Sequence, residues 1–170
     1  MKIESSRLTM RVITESDWAL FLQLYQDPKV IALCFDLLDE TGIREKFESR
    51  LLPWSPLADS WLCLVIEDKQ TGEPMGITGF IIEDNIAQVG YLLSPEFHGQ
   101  QYGTESLQAL ITWAESNHDI NRYQAVVTEG NVASERVLMK CGFNLDNVTP
   151  EAYEISGKLY ADHYYVRNTD

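Results

Sequence analysis

The chain has 170 residues, 45% of them hydrophobic, and carries 26 acidic against 13 basic side chains for a formal net charge of −13. That length suits one domain spanning residues 1–170 with a sizeable core, and the acidic balance argues against a nucleic-acid partner while favouring encounter with cations such as amines, polyamines or basic protein tails. There is no apolar run of about 18 residues and no apolar stretch behind a basic start at Met1–Arg7, so the expectation is a cytoplasmic protein with no membrane partner.

In chain order, Arg7–Ile13 alternates polar and apolar residues as a half-buried first strand does. Thr14, with Asp17 three residues on, caps a helix whose apolar stripe is Trp18, Phe21, Leu22 and Tyr25 and which ends at Asp27-Pro28. A second helical region runs through Val30–Leu33 and again over Thr41–Leu52, where Ile43, Phe47 and Leu51 recur every four residues, and Pro53 and Pro56 break it. Trp61–Glu67, Met75–Ile82 and Ile86–Leu93 read as three antiparallel strands joined by short turns. Leu107, Leu110, Ile111 and Ala114 mark a helix, Tyr123–Thr128 a strand and Asn131–Cys141 a short helix. Strands near Phe143–Val148 and Lys158–Arg167 complete about seven. Cys34, Cys63 and Cys141 are odd in number and set in apolar surroundings, which predicts reduced thiols. His98, His118 and His163 show no ligand spacing, so no metal is expected.

Two stretches carry chemistry. Between the strand at Ile86–Leu93 and the following helix lies Pro95–Thr104, whose Gly99 and Gly103 allow a tight turn and a close approach to something bound. The helix opening there has unpaired N–H groups and a partial positive charge, which suit a phosphate. A plain strand-turn-helix connection explains the same residues, and neither a dinucleotide fingerprint nor a P-loop is present. The second stretch is Asn131–Phe143, where Asn131 caps a helix, Lys140 suits its negative end, Gly142 stops it, and Ser134, Val137, Leu138 and Cys141 share a face.

The two stretches in this order resemble the GNAT acetyltransferase superfamily, within it the ribosomal-protein N-terminal acetyltransferases and spermidine acetyltransferases. Nearly the whole chain shares in the resemblance: Ser6-Arg7-Leu8 with Arg11, Gly90-Tyr91, Pro95-Glu96, Asn131 with Ser134, Lys140–Phe143, and Gly157 with Asp162. It implies an α/β (α+β) GNAT fold, a mixed central sheet with helices on both faces and splayed fourth and fifth strands, with acetyl-CoA in the gap as co-substrate. Leu92, Leu93 and Ser94 would pair their backbone with the pantetheine arm. His98, Gly99, Gln100, Gln101, Tyr102, Gly103 and Thr104 would hold the pyrophosphate, and Asn131 and Ser134 would lie beside the thioester. Relatives that dimerise do so through sheet edges or late strands, so a monomer or a homodimer is expected.

The chain departs from its relatives at two places. Gln101 stands at the first glycine position of the usual loop and His98 at its first position. No Lys or Arg occurs between Lys69 and Arg122, so the cradle must depend on amide dipoles and His98, with Arg136 or Lys140 reaching from the neighbouring helix. Acetyl transfer needs a neutral amine, an oxyanion donor and a proton for the thiolate. The resemblance assigns the oxyanion to the N–H near Leu93. The position of the family tyrosine is Leu138, which leaves Ser134 as the candidate proton donor. Gln88 stands where many relatives have a glutamate, so the proton would pass through water to Glu83, Asp84 or another acid, or the enzyme would capture neutral amine. An α-amine near pKa ~8 is neutral about one time in ten at pH 7 and a lysine-like amine about one in a thousand, which favours an N-terminal or amino-acid-like acceptor. Its pocket is expected between the first two helices and the last two strands, near Phe35, Asp36, Trp54 and Trp61; Tyr91, Tyr160, Tyr164 and Tyr165 could contact substrate or assist proton transfer, but strand tyrosines more often pack, and they are left out of the catalytic set. The competing functions are a non-catalytic acyl-CoA-binding module, suggested by Gln88 and Gln101, and a polyamine or aminoglycoside acetyltransferase, suggested by the acidic surface.

Overall fold

A computed structural model describes residues 1–169. Its strands are β1 (Lys2–Glu4), β2 (Leu8–Val12), β3 (Leu62–Asp68), β4 (Pro74–Glu83), β5 (Ile86–Leu93), β6 (Arg122–Thr128), β7 (Asn144–Ile155) and β8 (Lys158–Asn168). They form one sheet in the order β1-β2-β3-β4-β5-β6-β8-β7. The helices are α1 (Trp18–Gln26), α2 (Pro28–Ile31), α3 (Glu40–Arg50), α4 (Tyr102–His118) and α5 (Val132–Lys140). The mixed α/β fold expected from the sequence is present, with eight strands where about seven were expected. The additional one is β1, three residues paired with β2 from Lys2↔Arg11 to Glu4↔Thr9.

Strand β3 shows how the sheet becomes the middle layer. Leu62, Leu64 and Ile66 face one core with Leu107, Leu110, Ile111 and Ala114 of α4. Cys63 and Val65 alternate to the other face, against Phe21 and Leu24 of α1 and Ile43 and Phe47 of α3. Both faces of the strand are therefore apolar. Each fully buried Leu, Ile or Phe contributes about 1.5–3 kcal/mol, and these side chains fix the helices to the sheet.

The feature that creates the site is the seam between β5 and β6. These strands are parallel and pair only at Ala87↔Tyr123 and Gln88↔Gln124. Beyond that point they diverge, while β4 stays paired with β5 as far as Gly76↔Leu93 and β6 with β8 as far as Thr128↔Asp162. The splay expected from the family resemblance is thus present. Among the described residues no helix is long and apolar enough to cross a membrane, and no group of His, Cys, Asp and Glu could hold a metal ion.

Candidate functional site

The backbone of β5 alternates between its two neighbours. The Ser94 N–H donates to Met75 O at 2.9 Å, and the register Ile77↔Leu92 places Leu92 in the same phase, so Leu92 and Ser94 direct their backbone groups to β4. The groups of Tyr91 and Leu93 point the other way, into the gap left by β6. The Ser94 carbonyl also accepts from the Phe97 N–H, and the residue is buried. This corrects the expectation that Leu92 and Ser94 pair their backbone with a ligand: only Leu93 of the three is free to do so. Leu92 is among the residues that line the gap, and it packs against the core on the α1 and α3 side.

Two cavities flank this gap. One of about 410 Å³ lies on the α4 and α5 side. Apart from Ser94 and Gln100, every residue expected to bind the cofactor lines it: Leu92, Leu93, His98, Gly99, Gln101, Tyr102, Gly103, Thr104, Asn131, Ser134 and Lys140. Gln100 turns away. Its carbonyl accepts from Arg7 Nη2 at 3.1 Å and its side chain donates to Glu96 O at 2.9 Å. Arg7 also pairs with Glu105 at 2.7 Å and lies 4.1 Å above the Tyr102 ring, so it clamps the loop onto the first turn of α4.

Within the loop, Gly99 has φ +73° with open space around it, as a tight turn requires. Gly103 serves a different purpose. A Cβ there would stand 3.3 Å from Val137 Cγ2, so this glycine lets α4 and α5 approach each other. His98 is another correction. Its Nε2 donates to Leu93 O at 2.8 Å, because a carbonyl can only accept, and the ring ties the loop to the end of β5 instead of turning outward to an anion.

Cations come from outside the loop. Lys29 of α2, which sequence reading missed, lines the cavity with Arg136 and Lys140 of α5, and among the described residues no carboxylate lines it. Lys140 Nζ donates to Gln101 Oε1 at 2.9 Å. The N-terminus of α4 adds first-turn amides with no intrahelical acceptors. A donor set of three cations, free amides and the outward N–H of Leu93 fits a long polyanionic thioester such as acetyl-CoA.

The second cavity, about 310 Å³, opens on the α1 and α3 side and shares Cys34, Tyr91, Leu92, Asn131 and Ser134 with the first. Asn131 Oδ1 accepts from the Ser134 N–H at 3.3 Å, capping α5 and setting where Ser134 points. The Tyr91 hydroxyl donates to Ser134 Oγ at 3.2 Å. Burial pushes the Tyr91 pKa up to about 12, against the opposing effect of its bond to Ser134, so the phenol stays protonated. Tyr91 thus does more than pack, and no local sequence signal marked it, because its outward phase is set by the register of β5 with β4. Cys34 lies at the junction and not in the core, with its thiol pushed up by burial.

The expected acceptor pocket is partly correct. Trp61 and Phe35 line this cavity. Trp54 does not: it packs on the other face against Phe80, Trp113 and His118. Asp36 accepts from the Ser156 N–H at 2.7 Å and ties the segment after α2 to the β7–β8 turn. Glu83 and Asp84 are also out of place as proton acceptors. Glu83 pairs with Ile86, seven residues from Leu93, which is about 23 Å along a strand. Gln88 is not part of the cavity lining.

Known proteins share this chain's family and fold. The family model described as "Acetyltransferase (GNAT) domain" matches residues 7–144. Among curated proteins, the uncharacterized YkkB of Bacillus subtilis (strain 168) is 27% identical over 151 residues, 84% of this chain and 85% of its own. The uncharacterized N-acetyltransferase YoaA of the same strain is 24% identical over 177 residues, covering 96% and 94%. Among solved structures, the ribosomal L7/L12 alpha-N-protein acetyltransferase RimL in complex with coenzyme A has a TM-score of 0.86 at 26% identity, covering 100% of this chain and 99% of that one.

Proposed function

Because the chain belongs to the GNAT acetyltransferase family, we propose that it moves an acetyl group from acetyl-CoA to a primary α-amine, that of a protein N-terminus or of a small amino-acid-like molecule, and that it does so as one catalytic domain. The observation that carries this reading is the meeting of the two cavities at Tyr91, Asn131 and Ser134, beside the outward N–H of Leu93.

On this reading the acyl donor lies along the α5 side and the acceptor enters from the α3 side. The amine nitrogen attacks the thioester carbonyl carbon, so a C–N bond forms as the C–S bond breaks. The Leu93 N–H donates to the carbonyl oxygen as it gains charge. Ser134 gives its hydroxyl proton to the departing sulfur, and Tyr91, already donating to Ser134 Oγ, replaces it. The proton left on the new amide nitrogen goes to water, and solvent returns one to Tyr91, so that in net one proton passes from nitrogen to sulfur. Among the described residues no carboxylate lines the acceptor cavity, so the enzyme captures amine that is already neutral, which favours an α-amine over a lysine-like one. The similarity to RimL, a ribosomal L7/L12 alpha-N-protein acetyltransferase, supports the same acceptor group.

The test is calorimetric titration with acetyl-CoA followed by thiol-release assays against peptide N-termini, free amino acids and spermidine. Micromolar binding with turnover on α-amines is expected. Binding without turnover on any amine would favour the non-catalytic acyl-CoA module, for which Gln88 speaks, and preferential turnover of spermidine would restore the polyamine reading.

A further inference from the structure

Among the described residues, the only charged side chains lining the acceptor cavity are Lys46 and Arg50. They stand four apart at the end of α3, the spacing at which like charges repel on a helix. Neither is in an ion pair among the described residues, whereas Arg44 of the same helix pairs with both Glu15 and Glu48. In a chain with 26 acids and 13 bases, two adjacent cations without a carboxylate partner are unusual. Both lean on aromatic faces: Arg50 Cζ lies 4.7 Å from the Trp61 ring centre, and Lys46 Nζ lies 5.8 Å from that of Tyr25 and 6.0 Å from that of Phe35. Trp61 is itself seated over Gly90, where a Cβ would stand 3.4 Å from the indole. Burial, and then the charge of Arg50, lower the pKa of Lys46, as expected where no counter-charge is near. The helix dipole accounts for bases in a last turn. It does not account for their lining an acid-free cavity that leads to Ser134.

We infer that the acceptor amine carries a carboxylate, which Arg50 and Lys46 hold while its nitrogen reaches the gap beside Ser134. This rests on the acetyl-transfer reading above, and it reverses the preference for polycations suggested by the overall charge. The carboxylate is that of a free amino acid or an acidic side chain at a peptide N-terminus; spermidine and aminoglycosides meet two like charges and are rejected.

The test separates binding from turnover. Calorimetry on CoA-saturated protein titrates aspartate, glutamate, their diamides, a C-terminally amidated Asp-Ala peptide and spermidine, and thiol release from acetyl-CoA follows on the same panel. Expected is a kcat/KM for the carboxylated amines about thirty-fold or more above that of the matching amides, mainly through KM, as charge-assisted contacts give. In Arg50→Met that ratio falls to within about three-fold, and in the double variant Lys46→Glu with Arg50→Glu spermidine overtakes aspartate. Acetyl-CoA binding to each variant reports that it is folded. Preference for aspartate over the amidated peptide assigns the free amino acid, and the reverse assigns the peptide. Equal use of amides and carboxylates, or a preference that survives Arg50→Met, overturns the inference and leaves acetyl transfer standing. Carboxylate binding that is lost in Arg50→Met, without turnover on any amine, sinks the transfer reading and keeps the carboxylate site.

Discussion

Replacing Gln101 by glycine is expected to tighten acetyl-CoA binding. Gln101 holds φ +68° and ψ 11° immediately before α4, a left-handed conformation that costs a non-glycine residue about 1–2 kcal/mol. Glycine removes that cost but has more freedom to lose on folding, about 0.5–1 kcal/mol, so net stability changes by only about 1 kcal/mol or less. The binding effect has two other sources. Removing Cβ clears the approach to the first-turn amides of α4. It also frees Lys140, whose Nζ now donates to Gln101 Oε1 at 2.9 Å, to meet a phosphate. An exposed ion pair contributes about 0.2–1 kcal/mol, and the unblocked amides add a similar amount, so Kd should fall by about three- to ten-fold. Calorimetry with acetyl-CoA measures it directly. Adding Lys140→Ala should remove about half of the gain, and raising the salt should erode the Lys140 part first. An unchanged or weaker Kd in Gln101→Gly would refute the assignment of this loop as the phosphate cradle.

Ser134→Ala should lower turnover by about a hundred-fold, in the usual range for a lost proton donor, with acetyl-CoA affinity within about two-fold of wild type; unchanged turnover would reduce Ser134 to a helix residue. Tyr91→Phe keeps the ring and loses the bond to Ser134, so a smaller drop of about ten-fold is expected in kcat, measured with saturating acetyl-CoA. The profile of kcat against pH should rise with the acceptor amine's own ionisation and show no later fall due to Tyr91, which, pushed up to about 12, remains protonated to about pH 10. A rising limb that does not move when the acceptor is exchanged for one of different pKa would show a protein base. Gly76→Ala places a Cβ 2.2 Å from Leu92 O, so β5 must shift beside Leu93; thermal unfolding should show a loss of about 3 kcal/mol.

What the sequence made legible follows from how local each signal was. The buried strands and α4 were readable because their apolar spacing depends on their own residues, as at Leu107, Leu110, Ile111 and Ala114. β1 was not, since three residues held only by pairing with β2 carry no periodicity. The far half of β7 was missed for a related reason: an edge strand exposed along almost its whole length has no alternation to detect. At the site, the cradle loop was visible as a glycine turn entering a helix. The outward choice of Leu93 over Leu92 and Ser94 depends on register with β4, and the inward turn of His98 depends on loop closure. Arg7 was readable only as a family mark; its clamp on Gln100 and Glu105 joins residues nearly a hundred positions apart. Lys46 and Arg50 did leave a trace, flanking Phe47 at helical spacing, but the overall acidity pointed to the opposite substrate charge.

That contrast between global and local charge bears on the missing base. A carboxylate beside an amine holds its proton, and a cation favours its release. Lys46 and Arg50 together place two positive charges on the acceptor cavity, and one bound carboxylate offsets only one of them. As a measure of scale, a net unit charge placed about 8 Å from a nitrogen would be worth about 2 kcal/mol at an effective dielectric near 20, or more than one pKa unit. A peptide α-amine near pKa ~8 is thereby brought close to neutrality at physiological pH without any residue accepting its proton, and that of a free amino acid, which starts higher because of its own carboxylate, is lowered in the same direction. Gln88 in place of a glutamate is then consistent with catalysis, because the cations that hold the carboxylate also lower the pKa of the amine. The rising limb of kcat/KM, which reports free amine in solution, and that of kcat, which reports bound amine, should differ accordingly: the second should lie about one unit lower, and Arg50→Met should close the gap between them.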